Sequence, residues 1–521
     1  LLIPIFIIKI LIYPFFSFTF LPFLPFLPFY LFTFLPFLPL NGLQNYTFYS
    51  TLAKTYLINK KKTLPLQGKF LSTQESKTMS TSRTQRWTVL VIASLVMMMG
   101  YIFWNIISPV STTLKAPVEE GGLGWTAAEY GLYTSSYTIL NLFLLMLFFG
   151  GVILDKCGIR FTGILATGSM LAGSLINYYA ITAISPANYT NMAFTFFGFI
   201  PEQVKVQVLI SSLGFGLFGM GCDITGITVS KIVTKWFRGK ELASAMGTQV
   251  AMARLGTALA FSLSPVLVQH FGVTSPLAIG AGILLFGFLL FMVYCLFDRK
   301  FDALSSASTS NTDNSDDVFR FADFVTVVRN VGFWLIAIVC VLYYASIRTF
   351  MNFATDFMVN GFAIDKEMAG WVVSLIPFGA IVLSPLFGIL YDRTGRGTQM
   401  MTIGCVVLTV SLLLLNYPLT HALWYVLSMM TLVGIAFSLV PAALWPTVPM
   451  MVPLKQLGTA YSIIYYIQNL GLFLVPIWIG KVVDAYTTPS GIDYTIPMLI
   501  FIILSIGSML TAIGLLRINN V

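Results

Sequence analysis

Charged residues inside long apolar stretches are costly to bury and therefore informative, and two of them in this chain have matching positions. Asp223 lies in the middle of one stretch and Arg254 in the middle of the next, on either side of a short basic loop near residue 238. In antiparallel helices with a rise of about 1.5 Å per residue, both side chains lie roughly 22–24 Å from that loop. A carboxylate and a guanidinium at one level can bind the two ends of a zwitterion, or they can pair with each other and fix the helices.

Four further residues offer polar or aromatic groups to the same region. Arg348 is a second candidate anion anchor, or else a partner of Asp356 or another acid. Gln468 and Asn469 lie at comparable depth, where amides more often hold helices together, and Trp445 lies nearer the end of its segment. The predicted substrate-binding residues are Asp223, Arg254, Arg348, Trp445, Gln468 and Asn469. Catalytic and phosphate-binding motifs are absent from the sequence, so we predict neither an enzyme nor a cofactor.

A charged motif occurs twice, 237 residues apart. The copies are Gly151-Val-Ile-Leu-Asp-Lys-Cys-Gly-Ile-Arg160 and Gly388-Ile-Leu-Tyr-Asp-Arg-Thr-Gly-Arg396, and each lies between two apolar segments, which predicts a short hairpin at a membrane face. Glycine lets helices approach closely, and the aspartate can accept hydrogen bonds from a helix N-terminus or pair with a loop arginine. We predict a conformational latch, with a purely topogenic charge cluster as the alternative. Its residues are Gly151, Asp155, Lys156, Gly158, Arg160, Gly388, Asp392, Arg393, Gly395 and Arg396.

The composition excludes a water-soluble globular protein. Hydrophobic residues make up 57% of the chain and charged residues 9%, and the mean hydropathy is +0.85, whereas soluble domains are about a quarter charged. The net charge of +9 does not indicate nucleic-acid binding, because Lys and Arg are scattered through short loops. The five cysteines have no paired spacing and there are two histidines, so neither a disulfide framework nor a metal site is predicted.

The apolar segments predict an all-α protein that crosses a lipid bilayer twelve times. A polar stretch over 298–330 separates six segments from six others and is predicted to be a cytoplasmic linker between two six-helix bundles, at 79–297 and 331–521. The predicted segments are 86–110, 131–154, 159–184, 205–236, 241–270, 274–297, 331–357, 366–391, 398–416, 419–450, 456–484 and 494–517.

Residues 1–78 differ from the rest of the chain. They contain no methionine and repeat Phe-Leu-Pro, and a proline at every third position cannot continue a transmembrane helix. We therefore expect the native protein to start at Met79 and residues 1–78 to be a low-complexity leader of translated upstream sequence. The alternative is an unusual cleaved targeting segment.

The distribution of basic residues predicts the orientation. They fall on one side of the predicted segments, which by the positive-inside rule places both termini and the linker in the cytoplasm. The loop 185–204 then faces outward or into a lumen, and it contains the sequon Asn188-Tyr-Thr190, which predicts glycosylation of Asn188.

The repeated motif is the loop signature of the major facilitator superfamily. Five local strings further resemble the branch of major facilitator superfamily domain-containing protein 1, the lysosomal dipeptide transporters, over roughly residues 86 to 517. These strings are Trp236–Leu242, Met252–Gly256, Ala443–Pro446, Gln456–Tyr461 and Ile467–Gly471.

The resemblance implies a function and a site. It implies transport of dipeptides or similar small zwitterions by alternating access, as a facilitative uniporter with a monomeric transport unit, a glycosylated accessory membrane protein and a lysosomal or other endomembrane location. The family's acid on the fourth helix and arginine on the fifth correspond to Asp223 and Arg254, although this chain has Asp where the family has Glu. The alternatives are the plasma membrane, an organic-anion or sugar permease, a proton-coupled symporter, and a non-transporting membrane sensor or scaffold.

Overall fold

The computed structural model describes residues 83–192, 201–237, 241–305, 329–452, 457–488 and 491–519, which belong to one structural unit. The leader 1–78 and linker residues 306–328 lie outside the described residues, so the predictions about them stay predictions. We refer to residues 83–305 as the first half and to residues 329–519 as the second half.

The first half is helical apart from one short strand pair and two 3₁₀ turns, Ser108–Val110 and Val118–Glu120. Strands β1 (Tyr189–Asn191) and β2 (Gln203–Lys205) pair antiparallel, with Thr190 opposite Val204. The helices are α1 (Arg83–Asn105), α2 (Ser111–Lys115), α3 (Ala127–Ser136), α4 (Ile139–Phe143), α5 (Met146–Ala183), α6 (Val206–Phe237), α7 (Leu242–Phe271) and α8 (Ser275–Ser305).

The described residues of the second half form six long helices and one short strand pair. Strands β3 (Thr487–Thr488) and β4 (Gly491–Ile492) form a second antiparallel pair. The helices are α9 (Val331–Phe362), α10 (Lys366–Thr394), α11 (Gly397–Asn416), α12 (Leu423–Met451), α13 (Leu457–Ala485) and α14 (Thr495–Asn519).

The described residues contain 11 helices that are long and apolar enough to cross a membrane, one fewer than predicted. The difference is the predicted segment 131–154, which the structure divides among α3, α4 and the start of α5. Hydroxyl side chains contribute to the first break, because Ser136 and Thr138 donate to backbone oxygens three residues earlier and compete with the helical ladder. Leu145 has a left-handed φ of 50° and makes the second break.

The two motif copies are tighter turns than the predicted hairpins. In the first copy α5 continues through residues 151–160, and only Gly158 leaves helical geometry, with φ 80° and ψ 171°. In the second copy α10 ends at Thr394 and α11 begins at Gly397, with Gly395 at φ 62°. Because a Cβ is disfavoured at these φ values, the last glycine of each motif permits the reversal.

Helix ends collect at two faces of the protein. The face that we call the basic face carries the ion pairs Arg83–Glu241, Lys231–Asp155 and Lys235–Asp298. The opposite face, which we call the hairpin face, carries both strand pairs. Large apolar side chains on the surface between them are exposed, for example Leu213 at 64% and Ile503 at 65%, as expected where lipid replaces water.

Close backbone contacts join the two halves near the hairpin face. A Cβ on Gly131 of α3 would lie 2.3 Å from the carbonyl oxygen of Pro476 in α13, and a Cβ on Gly480 of α13 would lie 2.2 Å from that of Ala127. A second contact between the halves joins α7 and α10, where a Cβ on Gly370 of α10 would lie 2.7 Å from the carbonyl oxygen of Phe261 in α7. These small residues allow the halves to pack backbone to backbone at this face.

Candidate functional site

Asp223 is held beside the interrupted second crossing by a glycine one turn earlier in α6. A Cβ on Gly219 would lie 2.1 Å from the carbonyl oxygen of Tyr137, so α6 packs directly on the break between α3 and α4. The Tyr137 hydroxyl donates to Asp223 Oδ1 at 2.8 Å, and Asn141 Nδ2 donates to Oδ2 at 2.5 Å. The partly buried carboxyl group therefore has two neutral donors and, among the described residues, no cationic partner.

Arg254 does not pair with Asp223, although both are fully described. No nitrogen–oxygen distance of 4.0 Å or less joins the two side chains. Instead, the guanidinium of Arg254 lies 4.3 Å from the ring centroid of Phe437 in α12. The structure therefore does not show a structural ion pair between Asp223 and Arg254. Arg254 of the first half instead rests on the ring of Phe437 in the second half.

Arg348 makes the reciprocal contact. Its guanidinium lies 4.1 Å from the ring centroid of Trp104 in α1, and Trp104 stacks on Tyr137 with centroids 4.2 Å apart and planes at 3°. Arg348 is 9% exposed and interacts electrostatically with both Asp223 and Arg254. The structure does not show the suggested pair of Arg348 with Asp356, since no nitrogen–oxygen distance of 4.0 Å or less joins them, while Lys115 contacts Asp356.

The arrangement brings one carboxylate and two guanidinium groups together among aromatic rings. A cation–π contact contributes about 0.5–2 kcal/mol, whereas a hydrogen bond to a charged group contributes about 1.5–3 kcal/mol. A hydrogen bond to a carboxylate is therefore of the same order as, or stronger than, the contact that each guanidinium makes with its ring. A ligand ammonium can in turn reach Asp223, beside which the buried Oδ1 atom of Asn141 makes no hydrogen bond with any described residue.

Trp445, Gln468 and Asn469 form a separate group within the second half. Trp445 stacks on Tyr465 with centroids 4.8 Å apart, and its Nε1 donates to the Tyr344 hydroxyl at 3.2 Å. Tyr344 also lies near Arg254 and Arg348, which links Trp445 indirectly to the charged residues. Gln468 Oε1 accepts from the Cys340 thiol at 3.6 Å, and Asn469 is buried. The structure thus brings three of the six predicted residues together and connects the others through Tyr344 or not at all.

Three contacts between α9 and the segment 104–112 extend from Arg348 toward the hairpin face. Trp104 contacts Arg348, Ser108 donates to Asn352 Oδ1 at 3.2 Å, and Thr112 donates to Asp356 Oδ1 at 2.9 Å. The partners are separated by 244 residues in each case, and the three contacts are one helical turn apart. We call this series the interhalf ladder.

The outermost contact of the ladder is a buried ionic cluster. Asp356 is 0% exposed and accepts from Lys115 of the first half and from the Tyr494 hydroxyl of the second half. Nearby, Asp484 at the end of α13 accepts from the backbone amides of Ala127 and Ala128 at 2.6 and 2.7 Å. Charge-assisted hydrogen bonds therefore close the hairpin face between the halves.

The latch residues behave differently in the two motif copies. Asp155 pairs with Lys231 of α6 at 2.5 Å, while Arg160 and Lys235 contact the buried Asp298 at 3.7 and 2.7 Å. All of these residues belong to the first half. In the second copy, Asp392, Arg393 and Arg396 are exposed. The first copy thus joins α5, α6 and α8, and the latch function of both stays a prediction.

We expect Asp155→Asn to change transport rate much more than ligand affinity. The Asp155–Lys231 pair lies on the basic face, away from the ligand site, and the latch prediction gives it the role of biasing a two-state equilibrium. Initial transport rates should fall, while equilibrium affinity should stay within a few fold. Asp392→Asn serves as the matched change in the second copy. If either substitution abolished binding in a folded protein, the latch assignment would be wrong.

Comparison with known proteins identifies the family. The model of the Major Facilitator Superfamily matches residues 89–476 and 336–520. The lysosomal dipeptide transporter MFSD1 of Danio rerio is 28% identical over 354 residues, or 66% of this chain and 70% of that protein. MFSD1 of Gallus gallus is 30% identical over 287 residues, or 53% of this chain and 62% of that protein.

Solved structures agree at the level of the fold. A crystal structure of a mutant of the nucleoside transporter NupG has a TM-score of 0.64 at 14% identity, and the match covers 82% of this chain and 99% of NupG. At this identity the likeness shows the fold alone. The sequence-based prediction of the all-α membrane fold is therefore confirmed, apart from the number of continuous crossing helices. This chain belongs to the Major Facilitator Superfamily and is a multi-pass membrane transporter.

Proposed function

We propose that the chain transports dipeptides or similar small zwitterions by alternating access. One observation carries the proposal: among the described residues Asp223 has no cationic hydrogen-bonding partner, while Arg348 rests on Trp104 near Asp223 and Arg254 rests on Phe437 near Arg348. Asp223 binds the ligand ammonium, and Arg254 binds the carboxylate with Arg348 as the second anchor. The names of the relatives in Danio rerio and Gallus gallus support the same substrate class.

The closed hairpin face supports an alternating mechanism. The interhalf ladder and the hydrogen bonds from the Ala127 and Ala128 amides to Asp484 join the halves at this face. Among the described residues, the ion pairs of the basic face lie entirely within the first half. We infer that the ligand site opens toward the basic face in this conformation, so that transport requires the ladder to open.

The orientation follows from the same two faces. The positive-inside rule places the basic face in the cytoplasm and the hairpin face in a lumen or outside the cell. Asn188 is exposed next to β1 on the hairpin face, where its sequon is accessible for glycosylation. A lysosomal membrane and a glycosylated accessory partner are proposed from the relatives.

An organic-anion carrier is the second candidate. It is favoured by the excess of two arginines over one carboxylate in the site. In this case a ligand carboxylate binds Arg254 and Arg348, and Asp223 serves only to balance their charge. Proton coupling is compatible with both the zwitterion carrier and the organic-anion carrier, because Asp223 is the acidic residue of the site.

Uptake into liposomes containing the purified protein tests the proposal. We expect free dipeptides to accumulate or exchange several-fold faster than single amino acids, sugars and dicarboxylates. Liposomes with the Asp223→Asn protein provide the matched control for leakage. Preferential uptake of dicarboxylates would instead support the anion carrier, and equal, background uptake of every compound would contradict transport of either class. Repeating the assay with an imposed pH gradient separates uniport from proton coupling.

A further inference from the structure

A groove on the outside of the first half lies between α5 and α8 at the basic face. Its volume is about 480 Å³, and it is separate from the ligand site around Asp223. Two arginines, Arg160 and Arg299, stand at its rim. Its walls are apolar and comprise Phe161, Ile164, Met292 and Leu296.

The groove changes from charged to apolar along the direction that crosses the membrane. Arg299 and Met292 are seven residues apart in α8, a distance of about 10 Å along the helix axis. The apolar wall is open, with Phe161, Met292 and Leu296 exposed by 55%, 42% and 59%. In a bilayer this wall contacts acyl chains, while the rim lies at headgroup level.

The rim of the groove carries more basic than acidic residues. Arg299 is exposed and makes no hydrogen bond or ion pair with any residue whose side chain the structure describes, a set that excludes residues 301–305. Arg160 lies 3.7 Å from Asp298, which holds its guanidinium beside the groove. The segments 154–160, 231–235 and 298–300 around the rim contain six basic and two acidic residues.

We propose that this groove binds an anionic phospholipid. The phosphate lies between Arg160 and Arg299, and one acyl chain follows Phe161, Met292 and Leu296 into the bilayer. Arginine suits this ligand because its guanidinium donates two parallel hydrogen bonds to a phosphate. An amphiphile contacts both the arginine rim and the apolar wall of the groove, whereas a soluble phosphate contacts only the rim.

Cys157 provides a native probe of occupancy. It lines the groove and is exposed, whereas Cys222, Cys295, Cys340 and Cys405 are buried. The full-length protein is placed in nanodiscs of phosphatidylcholine alone or of phosphatidylcholine with phosphatidylglycerol, and the rate of Cys157 labelling by a water-soluble maleimide is measured. Phosphatidylglycerol should protect Cys157, and Arg299→Gln should weaken that protection up to about fivefold, since a specific exposed ion pair contributes up to about 1 kcal/mol.

Lys300→Gln is the matched control. It removes the same charge from the neighbouring exposed residue, which does not line the groove, and it should leave the protection intact. Equal loss of protection in Arg299→Gln and Lys300→Gln would show diffuse attraction to a charged surface and overturn the proposal. Equal protection by phosphatidylcholine alone, or by inorganic phosphate added to that nanodisc, would also overturn it.

Discussion

Replacing Asp223 by asparagine should weaken the binding of a free dipeptide about ten- to a hundredfold, because one hydrogen bond to a charged group contributes about 1.5–3 kcal/mol. The same substitution should hardly change the binding of an N-acetylated dipeptide, which presents no ammonium. Asparagine keeps the size of the side chain and can still accept from Tyr137 through its Oδ1. Competition binding with free and N-acetylated forms of one dipeptide measures the difference directly.

Arg254→Gln gives the complementary measurement within the same prediction. It should weaken the binding of dipeptides with a free carboxylate more than the binding of the corresponding C-terminal amides. Arg254→Lys should restore only part of the lost affinity, since a point charge replaces a donor of two parallel hydrogen bonds. Asp223→Asn/Arg254→Gln serves as the control for a structural role. A structural pair would make each single variant less stable and the double variant more stable than the singles. Equal losses for blocked and free peptides would contradict the zwitterion site.

Asp356→Asn should shift the protein strongly toward conformations in which the hairpin face is open. Asp356 is fully buried and joins Lys115 of the first half to Tyr494 of the second half. Removing one partner of a buried pair typically costs about 3–5 kcal/mol, and here that loss falls on the closed conformation because the pair spans the halves. Spin labels on the exposed residues Glu119 and Glu367 report the separation of the halves at this face.

Glu129→Gln is the matched control for the hairpin face. Glu129 also forms a buried ion pair with a lysine, Lys205 at 3.0 Å, on the same face, but both residues belong to the first half. Glu129→Gln should therefore lower thermal stability without widening the label distance distribution. Similar distributions in the two variants would show that the Asp356 cluster stabilises the fold and does not control opening.

The charges that meet in the site could be found from the sequence, but their partners could not. Depth counting selected Asp223 and Arg254 because helical rise fixes the position of a residue along the membrane normal. It does not fix which way each side chain turns, and the reciprocal contacts with Phe437 and Trp104 depend on how the halves dock. For the same reason the sequence suggested Asp356 as a partner of Arg348, whereas the structure places Arg348 on Trp104 and Asp356 with Lys115.

The residues that sequence reasoning missed have ordinary types in ordinary surroundings. Tyr137 and Asn141 hold Asp223, but the predicted continuous helix over 131–154 concealed the break that presents them. A signal was present in Thr134, Ser135, Ser136 and Thr138, since clustered hydroxyl residues compete for helix carbonyls. The Glu129–Lys205 pair was missed because both residues lie near segment ends, where charges are common.

In the interhalf ladder, the residues that select the substrate differ from the residues that set the equilibrium between the closed and open conformations. The three contacts of the ladder join the same two segments, and each of them stabilises the closed state. A ligand carboxylate that draws Arg348 off Trp104 removes only the innermost term, a cation–π contact of about 0.5–2 kcal/mol, which changes a two-state equilibrium about two- to thirtyfold. The larger contribution of the Asp356 ionic cluster to the closed state depends on residues that do not contact the ligand. Substitutions around Lys115 and Asp356 can thus retune how often the transporter opens while the compound that it recognises stays the same.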